Sequence, residues 1–314
     1  MKTAIIEVYP LKKINRTKMI DAHCRNSIIL SNYLKCDLLL IESDFLAALK
    51  NKYDILILSY ASRYAPFKLI EELFKRNKNA KKFWLTNEYN LSPIGTIVDY
   101  KHSIIGNFEK QPYTRNVLNY YSININLLLA KPPNDFDYKH KKYDCIYYGT
   151  FRVHRKEYFE KYLQNDIYLS TSPKNFKKFK HIGCNPKYIS KLNWVGNKET
   201  LNLFKYQLYI EDDRTHTNFC SLANRWYEAG FCNNVVFFDA NCRNTIELSE
   251  IGYYKEQVEQ YIVKDYEDLK NKIKECNKDF EKHLAIQKSW RINETLLKKQ
   301  LLEKFENIIY NSTE

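Results

Sequence analysis

Two runs in the second half of the chain carry side chains suited to holding an anionic ligand. Tyr209-Ile210-Glu211-Asp212-Asp213-Arg214-Thr215-His216-Thr217-Asn218 leaves a predicted strand and enters a helix expected over 217–230. Thr217 or Asn218 suits the N-cap of that helix, leaving backbone donors and the positive end of the helix dipole for a ligand. Ser221, Arg225 and Glu228 then fall at i, i+4 and i+7, on one helical face. A diphosphate there needs no metal, because the dipole and nearby arginines offset its charge. An ionised carboxylate only accepts hydrogen bonds, so Glu228 suits the paired hydroxyls of a ribose. The competing reading is an exposed Arg225–Glu228 pair at i,i+3, worth a few tenths of a kcal/mol.

The second run is Tyr147-Tyr148-Gly149-Thr150-Phe151-Arg152-Val153-His154-Arg155. Gly149 permits a tight turn with exposed N–H groups, and Arg152 and Arg155 follow closely. Strand, glycine, arginine and helix in that order can cradle a phosphate. The run is not GxGxxG, so a dinucleotide fingerprint is absent. Alternatively, both arginines are solvated residues at a helix start.

Glu211-Asp212-Asp213 has the composition of a metal site, but a loop facing sugar hydroxyls or water is preferred, and no metal is expected. In the first half, polar residues trail predicted strands at Tyr9, Lys12, Lys13, Ser59, Ser62, Arg63, Asn87, Glu88 and Tyr89. Glu88, within Thr86-Asn87-Glu88-Tyr89-Asn90, can serve as general base on a hydroxyl. The competing reading is a surface turn. Glu88 and Asp213 are the candidate catalytic carboxylates. Trp84, Tyr60 and Tyr64 are candidates for stacking on bases or sugars. His23, His102 and His283 sit in ordinary amphipathic settings and read as structural, whereas His154 and His216 draw interest by position.

The elements that must place these residues alternate between short apolar runs and amphipathic segments, the pattern of an α/β protein with parallel sheets. Strands are expected at Thr3–Val8, Asp37–Ile41, Asp54–Ser59, Lys82–Thr86, Ser103–Gly106 and Ile123–Ala130. Helices are expected over 17–34, 43–50 and 66–77. Paired prolines and many charges over 131–142 read as a linker. Alternation restarts with strands Tyr143–Tyr148, Asp166–Leu169, Leu192–Val195, Leu208–Ile210 and Val235–Phe238. Helices are expected over 153–164, 198–206, 217–230, 265–277 and 279–310. The organisation predicted is two Rossmann-like doubly wound domains facing a cleft: 1–130, a linker 131–142, and 143–290. A terminal helix over 291–314 would pack back on the first domain.

The chain has 314 residues and a formal charge of +13. Residues 1–140 hold 21 Lys and Arg against 13 Asp and Glu, residues 141–191 hold 12 against 4, and residues 192–314 hold 17 against 20. The basic excess favours a polyanionic partner. Part of it follows from a composition rich in Lys, Asn, Ile and Tyr, the residues of AT-rich codons. No stretch approaches the ~18 apolar residues of a membrane span. The eight cysteines form no CxxC pair and no zinc spacing. A secretory signal is not evident, and a cytoplasmic setting with reduced thiols is expected.

Asn224-Arg225-Trp226-Tyr227-Glu228-Ala229-Gly230 with Val235-Val236-Phe237-Phe238-Asp239 resembles the donor-binding helix and following strand of GT-B glycosyltransferases. Tyr148-Gly149-Thr150-Phe151-Arg152 looks like the first strand and loop of the same domain, and Gln287–Trp290 suits the family's terminal helix. The similarity spans roughly residues 143–310. It implies a nucleotide-sugar donor held by the C-terminal domain, with Glu228 on the ribose and Arg152, Arg155 and Arg225 on the diphosphate. Gly149, Thr150, Glu211, His216, Asn218 and Ser221 complete the donor-site candidates. Lys12, Lys13, Arg63, Asn87 and Tyr89 are the acceptor-site candidates. The chain departs from one retaining pattern, two glutamates with seven residues between them: the upstream position is Cys220, so stereochemistry stays open. No cofactor beyond a nucleotide sugar, a UDP-sugar by expectation, is implied.

In size and charge the chain also resembles phage enzymes that glucosylate hydroxymethylated pyrimidines, which makes modified DNA the expected acceptor. The alternatives are a surface polysaccharide, lipid-linked glycan or protein acceptor, and a non-catalytic nucleic-acid-binding α/β protein.

Overall fold

The computed structural model describes residues 1–7, 22–40, 49–59, 66–86, 93–103, 120–122, 138–192, 200–212 and 222–311. Two compact units divide the chain: Met1–Leu129 with Gln300–Glu314, and Ala130–Lys299.

The first unit contains β1 (Thr3–Glu7), α1 (Ala22–Leu34), β2 (Asp37–Leu40), β3 (Ile55–Leu58), α2 (Phe67–Arg76), β4 (Lys81–Thr86), β5 (Tyr100–Ser103) and β6 (Tyr120–Ser122). The strands form a parallel sheet in the order β2-β1-β3-β4-β5-β6. Alternation along each strand sends side chains to opposite faces. Ile5, Ile55, Ile57 and Phe83 pack with Leu30 and Leu34 of α1 and with Phe305, Ile308 and Ile309 from the end of the chain. Ala4, Ile6, Leu56, Leu58 and Trp84 pack with Ile70, Leu73 and Phe74 of α2. Both faces are therefore covered, which explains the uninterrupted apolar ILIL of β3.

The second unit contains β7 (Tyr143–Tyr148), α3 (Lys156–Tyr162), β8 (Ile167–Thr171), α4 (Pro173–His181), β9 (Lys187–Ser190), β10 (Phe204–Tyr209), α5 (Asn224–Phe231), β11 (Val235–Asp239), α6 (Arg243–Glu247), α7 (Lys255–Val258), β12 (Ile262–Val263), α8 (Tyr266–Cys276) and α9 (Phe280–Glu306) as far as Lys299, its last turns belonging to the first unit. Its parallel sheet runs β12-β11-β10-β7-β8-β9. Counted from β7, that is the dinucleotide-fold order 3-2-1-4-5-6. The start of α9 docks on β11 through Gln287, whose amide bonds both the N–H and the C=O of Val236 at 2.9 Å.

Several boundaries differ from expectation. The strand expected over 103–106 lies one turn earlier, at Tyr100–Ser103. Tyr100 and the buried His102 stack on Phe83 there, so packing overrides the polar appearance of YKHS. A strand occurs at Tyr120–Ser122, whereas Ile123–Ala130 lies outside the described residues. The helix expected over 198–206 gives way at Phe204, where β10 begins with Phe204 and Tyr206 fully buried. Leu192 is irregular, and the rest of the strand expected over Leu192–Val195 lies outside the described residues; the strand seen just before it is β9. The charged helix α4 had no apolar periodicity to announce it; Ser172 caps it, accepting from Asn175 N at 3.3 Å, and Pro173 starts it. None of the described helices is long and apolar enough to cross a membrane.

Candidate functional site

In the second unit the order of strands reverses between β7 and β10, its two central neighbours. Open α/β sheets bind ligands beyond the carboxyl ends of the strands at such a point. The segments that leave there are Gly149–Arg155 after β7 and Ile210–Asp212 after β10. They are the two runs singled out from the sequence.

The structure joins them through charge. Arg155 places Nη2 2.5 Å from Glu211 Oε2 and Nε 2.6 Å from Asp212 Oδ2. Arg225, from the first turn of α5, pairs with the other oxygen of Glu211 and donates to Ile210 O at 3.3 Å. His154 Nε2 is 3.1 Å from Asp212 Oδ2. The Glu211, Asp212 and Arg155 side chains are less than a tenth exposed, and Arg225 is 15% exposed. Two guanidinium cations and two carboxylates thus form a neutral buried quartet. Burial pulls against the Arg225 charge, yet the Glu211 carboxylate beside it more than offsets this and raises its pKa; the guanidinium also lies over the Tyr147 and Tyr209 rings, 5.8 and 5.7 Å from their centroids. Arg155 is likewise raised, burial being outweighed by Glu211.

Glu228, one turn further along α5, accepts the phenolic proton of Tyr148 at the end of β7. Burial, then the Glu228 charge, push the Tyr148 phenol well above its ordinary pKa, so it stays a donor. Arg225 and Glu228 share a helix face, as the spacing predicts. They are not the exposed pair that the competing reading supposed, because each reaches to a different strand end. Arg225 Nε is buried and has no hydrogen-bond partner among the described residues. An orphan donor at the edge of this quartet is a natural contact for an incoming oxygen.

Three expectations are corrected. The described helix starts at Asn224, with Ala223 as its N-cap; Thr217, Asn218 and Ser221 precede it, outside the described residues. The Ala223 N–H donates to Tyr209 Oη at 2.7 Å. Gly149 does not offer its N–H to a ligand: it donates to Ser170 O at 3.2 Å, and its carbonyl accepts from Thr171 Oγ1 at 2.8 Å. A Cβ at this position would stand 3.0 Å from Tyr147 Oη, a tight contact that the phenol would have to ease by a few tenths of an ångström. Trp84 is fully buried in the first unit's core and stacks on no ligand.

Thr150, Arg152 and His154 are exposed beside the quartet. Asp213 and His216 lie outside the described residues, as do Glu88, Lys12, Lys13, Arg63, Asn87, Tyr89, Tyr60 and Tyr64. Among the described residues no three of His, Cys, Asp and Glu form a metal-binding group. Sequence reasoning missed Tyr148 as the partner of Glu228 and the tie between Glu211 and the arginines. It also missed Glu7, which ends β1 beside the reversal point of the first sheet. Glu7 is fully buried and accepts from Ser27 Oγ at 2.6 Å and Ser59 Oγ at 3.0 Å. A carboxylate closing the otherwise apolar TAIIE was the available signal.

No protein-family model matches the sequence, and no curated protein matches it significantly. Solved structures do match, over nearly the whole chain. T4 phage beta-glucosyltransferase with its UDP-glucose substrate superposes with a TM-score of 0.67 at 18% identity, covering 99% of this chain and 100% of the other. An alpha-glucosyltransferase in complex with UDP gives 0.66 at 13%, covering 98% and 99%. The same T4 phage enzyme with UDP and Mn2+ gives 0.63 at 16%, covering 99% and 100%. The fold is GT-B. At these identities the likeness establishes architecture, in line with the two parallel sheets and the order of their strands. In the GT-B frame, the quartet and the Tyr148–Glu228 pair belong to the C-terminal domain.

Proposed function

We propose that the protein is a glycosyltransferase that moves a sugar from a UDP-sugar to hydroxyl groups on hydroxymethylated DNA bases. The observation that carries this reading is the meeting of Arg155, Arg225 and Glu228 beyond β7 and β10, within a fold shared end to end with glucosyltransferases. Those structures hold UDP, UDP-glucose and, for the alpha-glucosyltransferase, DNA.

The second unit binds the donor. Glu228 accepts the ribose hydroxyls. Arg225 Nε and the remaining N–H groups of Arg155 meet the diphosphate, with exposed Arg152 adding charge from the loop. Because Glu211 and Asp212 already hold the guanidinium groups in place, little reorganisation accompanies binding. The first unit presents the acceptor. Its hydroxyl oxygen bonds to the anomeric carbon as the bond from that carbon to the diphosphate oxygen breaks. The hydroxyl proton passes to a carboxylate, Glu88 or Asp213, and the electron pair leaves with UDP, which the arginines stabilise. Glu211 and Asp212 are occupied by arginine, which supports a reaction that needs no divalent ion; full activity in EDTA tests that point.

The decisive experiment incubates purified protein with UDP-, GDP- and ADP-sugars and duplex DNA with or without hydroxymethylcytosine, and follows base mass. Sugar addition that requires the hydroxymethyl group and is lost in R225A and E228A is expected. Donor hydrolysis with transfer only to glycans or proteins replaces the DNA acceptor. DNA binding without stabilisation by any nucleotide sugar removes the enzyme reading.

A further inference from the structure

Between Asp166 and Glu199 the sequence holds no acidic residue, yet it holds Lys174, Lys177, Lys178, Lys180, Lys187, Lys191 and Lys198. The first six are exposed, and among the described residues none of them pairs with a carboxylate. Lys174, Lys177, Lys178 and His181 follow i, i+3, i+4, i+7 spacing on α4. They form one stripe about 10 Å long, while Phe179 turns inward and is fully buried. Lys187 opens and Lys191 follows β9, the edge strand next in the chain. Phe176 of α4 and Tyr188 of β9 meet with ring centroids 4.7 Å apart, on the side of α4 turned away from the stripe, whereas Lys187 alternates to the other face of the sheet, its Nζ 5.2 Å from the Tyr168 ring centroid.

The stripe adjoins the donor loop. Thr171, the last residue of β8 and two before α4, donates to Gly149 O, and Lys178 Nζ lies 5.9 Å from the Phe151 ring centroid. Arg152 extends the positive charge from the loop itself. A polyanion lying on the stripe would run directly past the segment that leads to Arg155.

We propose that the lysine stripe of α4 is a track for the phosphate backbone of duplex DNA, holding it beside the Gly149–Arg155 loop. The proposal rests on the reading of DNA as acceptor and adds where part of that DNA lies. A helical stripe of uncompensated lysines suits sequence-independent phosphate binding, which positions a duplex without reading it. The simpler role, lysines guarding an edge strand against pairing, accounts for Lys187 but not for a stripe on the neighbouring helix.

The test compares the parent protein with K174Q/K177Q/K178Q and with K264Q/K270Q/K274Q, which removes equal charge from exposed positions elsewhere in the unit. Duplex affinity is measured against salt, with thermal unfolding as the check on folding. The stripe variant is expected to flatten the slope of log K on log salt by about 2.7, at about 0.9 for each phosphate no longer neutralised. The other variant should keep the parent slope and both should keep the parent unfolding midpoint. Equal slopes in parent and stripe variant overturn the proposal, as does an equal loss in both variants. Loss of binding to anionic lipid vesicles with DNA affinity unchanged overturns it in favour of a membrane. If the parent glucosylates DNA and the stripe variant does so with the same salt dependence, only the track fails. If the parent neither binds nor modifies DNA, the acceptor reading fails with it.

Discussion

Tyr148 and Glu228 stand 80 residues apart in sequence and share one hydrogen bond, phenol to carboxylate, across the gap between β7 and α5. The bond holds Glu228 in a fixed rotamer before any ligand arrives. With Tyr148 protonated well into the alkaline range, Glu228 keeps acceptor capacity for a second donor such as a ribose hydroxyl. Replacing Glu228 with alanine is therefore expected to weaken UDP by roughly 1.5–3 kcal/mol, the range for hydrogen bonds to a charged group. It should also erase the preference for UDP over its 2′-deoxy form. Calorimetric titration of both nucleotides reads this, and an undiminished preference in the variant removes Glu228 from the ribose.

Glu211 is the shared carboxylate of Arg155 and Arg225. Glu211→Gln leaves two guanidinium groups in a buried site with one counter-charge, Asp212. Breaking a buried pair on one side costs about 3–5 kcal/mol. Urea unfolding of the variant should show a loss of that order, together with a weaker response to UDP as the arginines lose their fixed positions. A variant as stable as the parent would mean that the quartet is open to water.

Gly230 gives a test of sign. In an exposed helix, alanine in place of glycine stabilises by about 1 kcal/mol. Here the new Cβ would collide with the Arg291 guanidinium, and Arg291 is itself buried with that group 3.7 Å over the Trp226 ring. The guanidinium must leave the ring, so Gly230→Ala is expected to destabilise by about 1–3 kcal/mol. A raised unfolding temperature would show that Arg291 has somewhere else to go.

The two parallel sheets were legible in the sequence because DILILS, KKFWLT, YDCIYY and VVFFD are apolar runs with room for burial on both sides. The site was half legible. Arg225 and Glu228 lie on one helix, so their spacing alone sets a common face. Their partners depend on which strands become neighbours. Nothing local says that β7 lies beside β10, and therefore nothing local predicts that Arg155 meets Glu211 or that Tyr148 meets Glu228. The early start expected for the donor helix has a similar cause: Thr217 and Asn218 have good capping chemistry, but the described helix begins at Asn224, after Tyr209 has taken the Ala223 N–H. Helix α4 was missed because only Phe179 is fully buried along it.

His102 is fully buried in the first unit. Burial lowers its pKa from 6.5 to about 3, against the Phe83 and Phe305 rings. Between those values the unfolded chain binds a proton that the folded chain refuses. Stability is therefore retained above pH 6.5 and lost as pH falls through the window, by up to about 1.4 kcal/mol per pH unit for this one group. His102→Leu has no proton to take up, so its stability should fall less between pH 7.5 and pH 4.5, whatever its stability at neutral pH. Urea midpoints of the two proteins at both pH values decide the matter: parallel losses would place the acid sensitivity in other groups, and a steeper loss in the variant would reverse the assignment of sign.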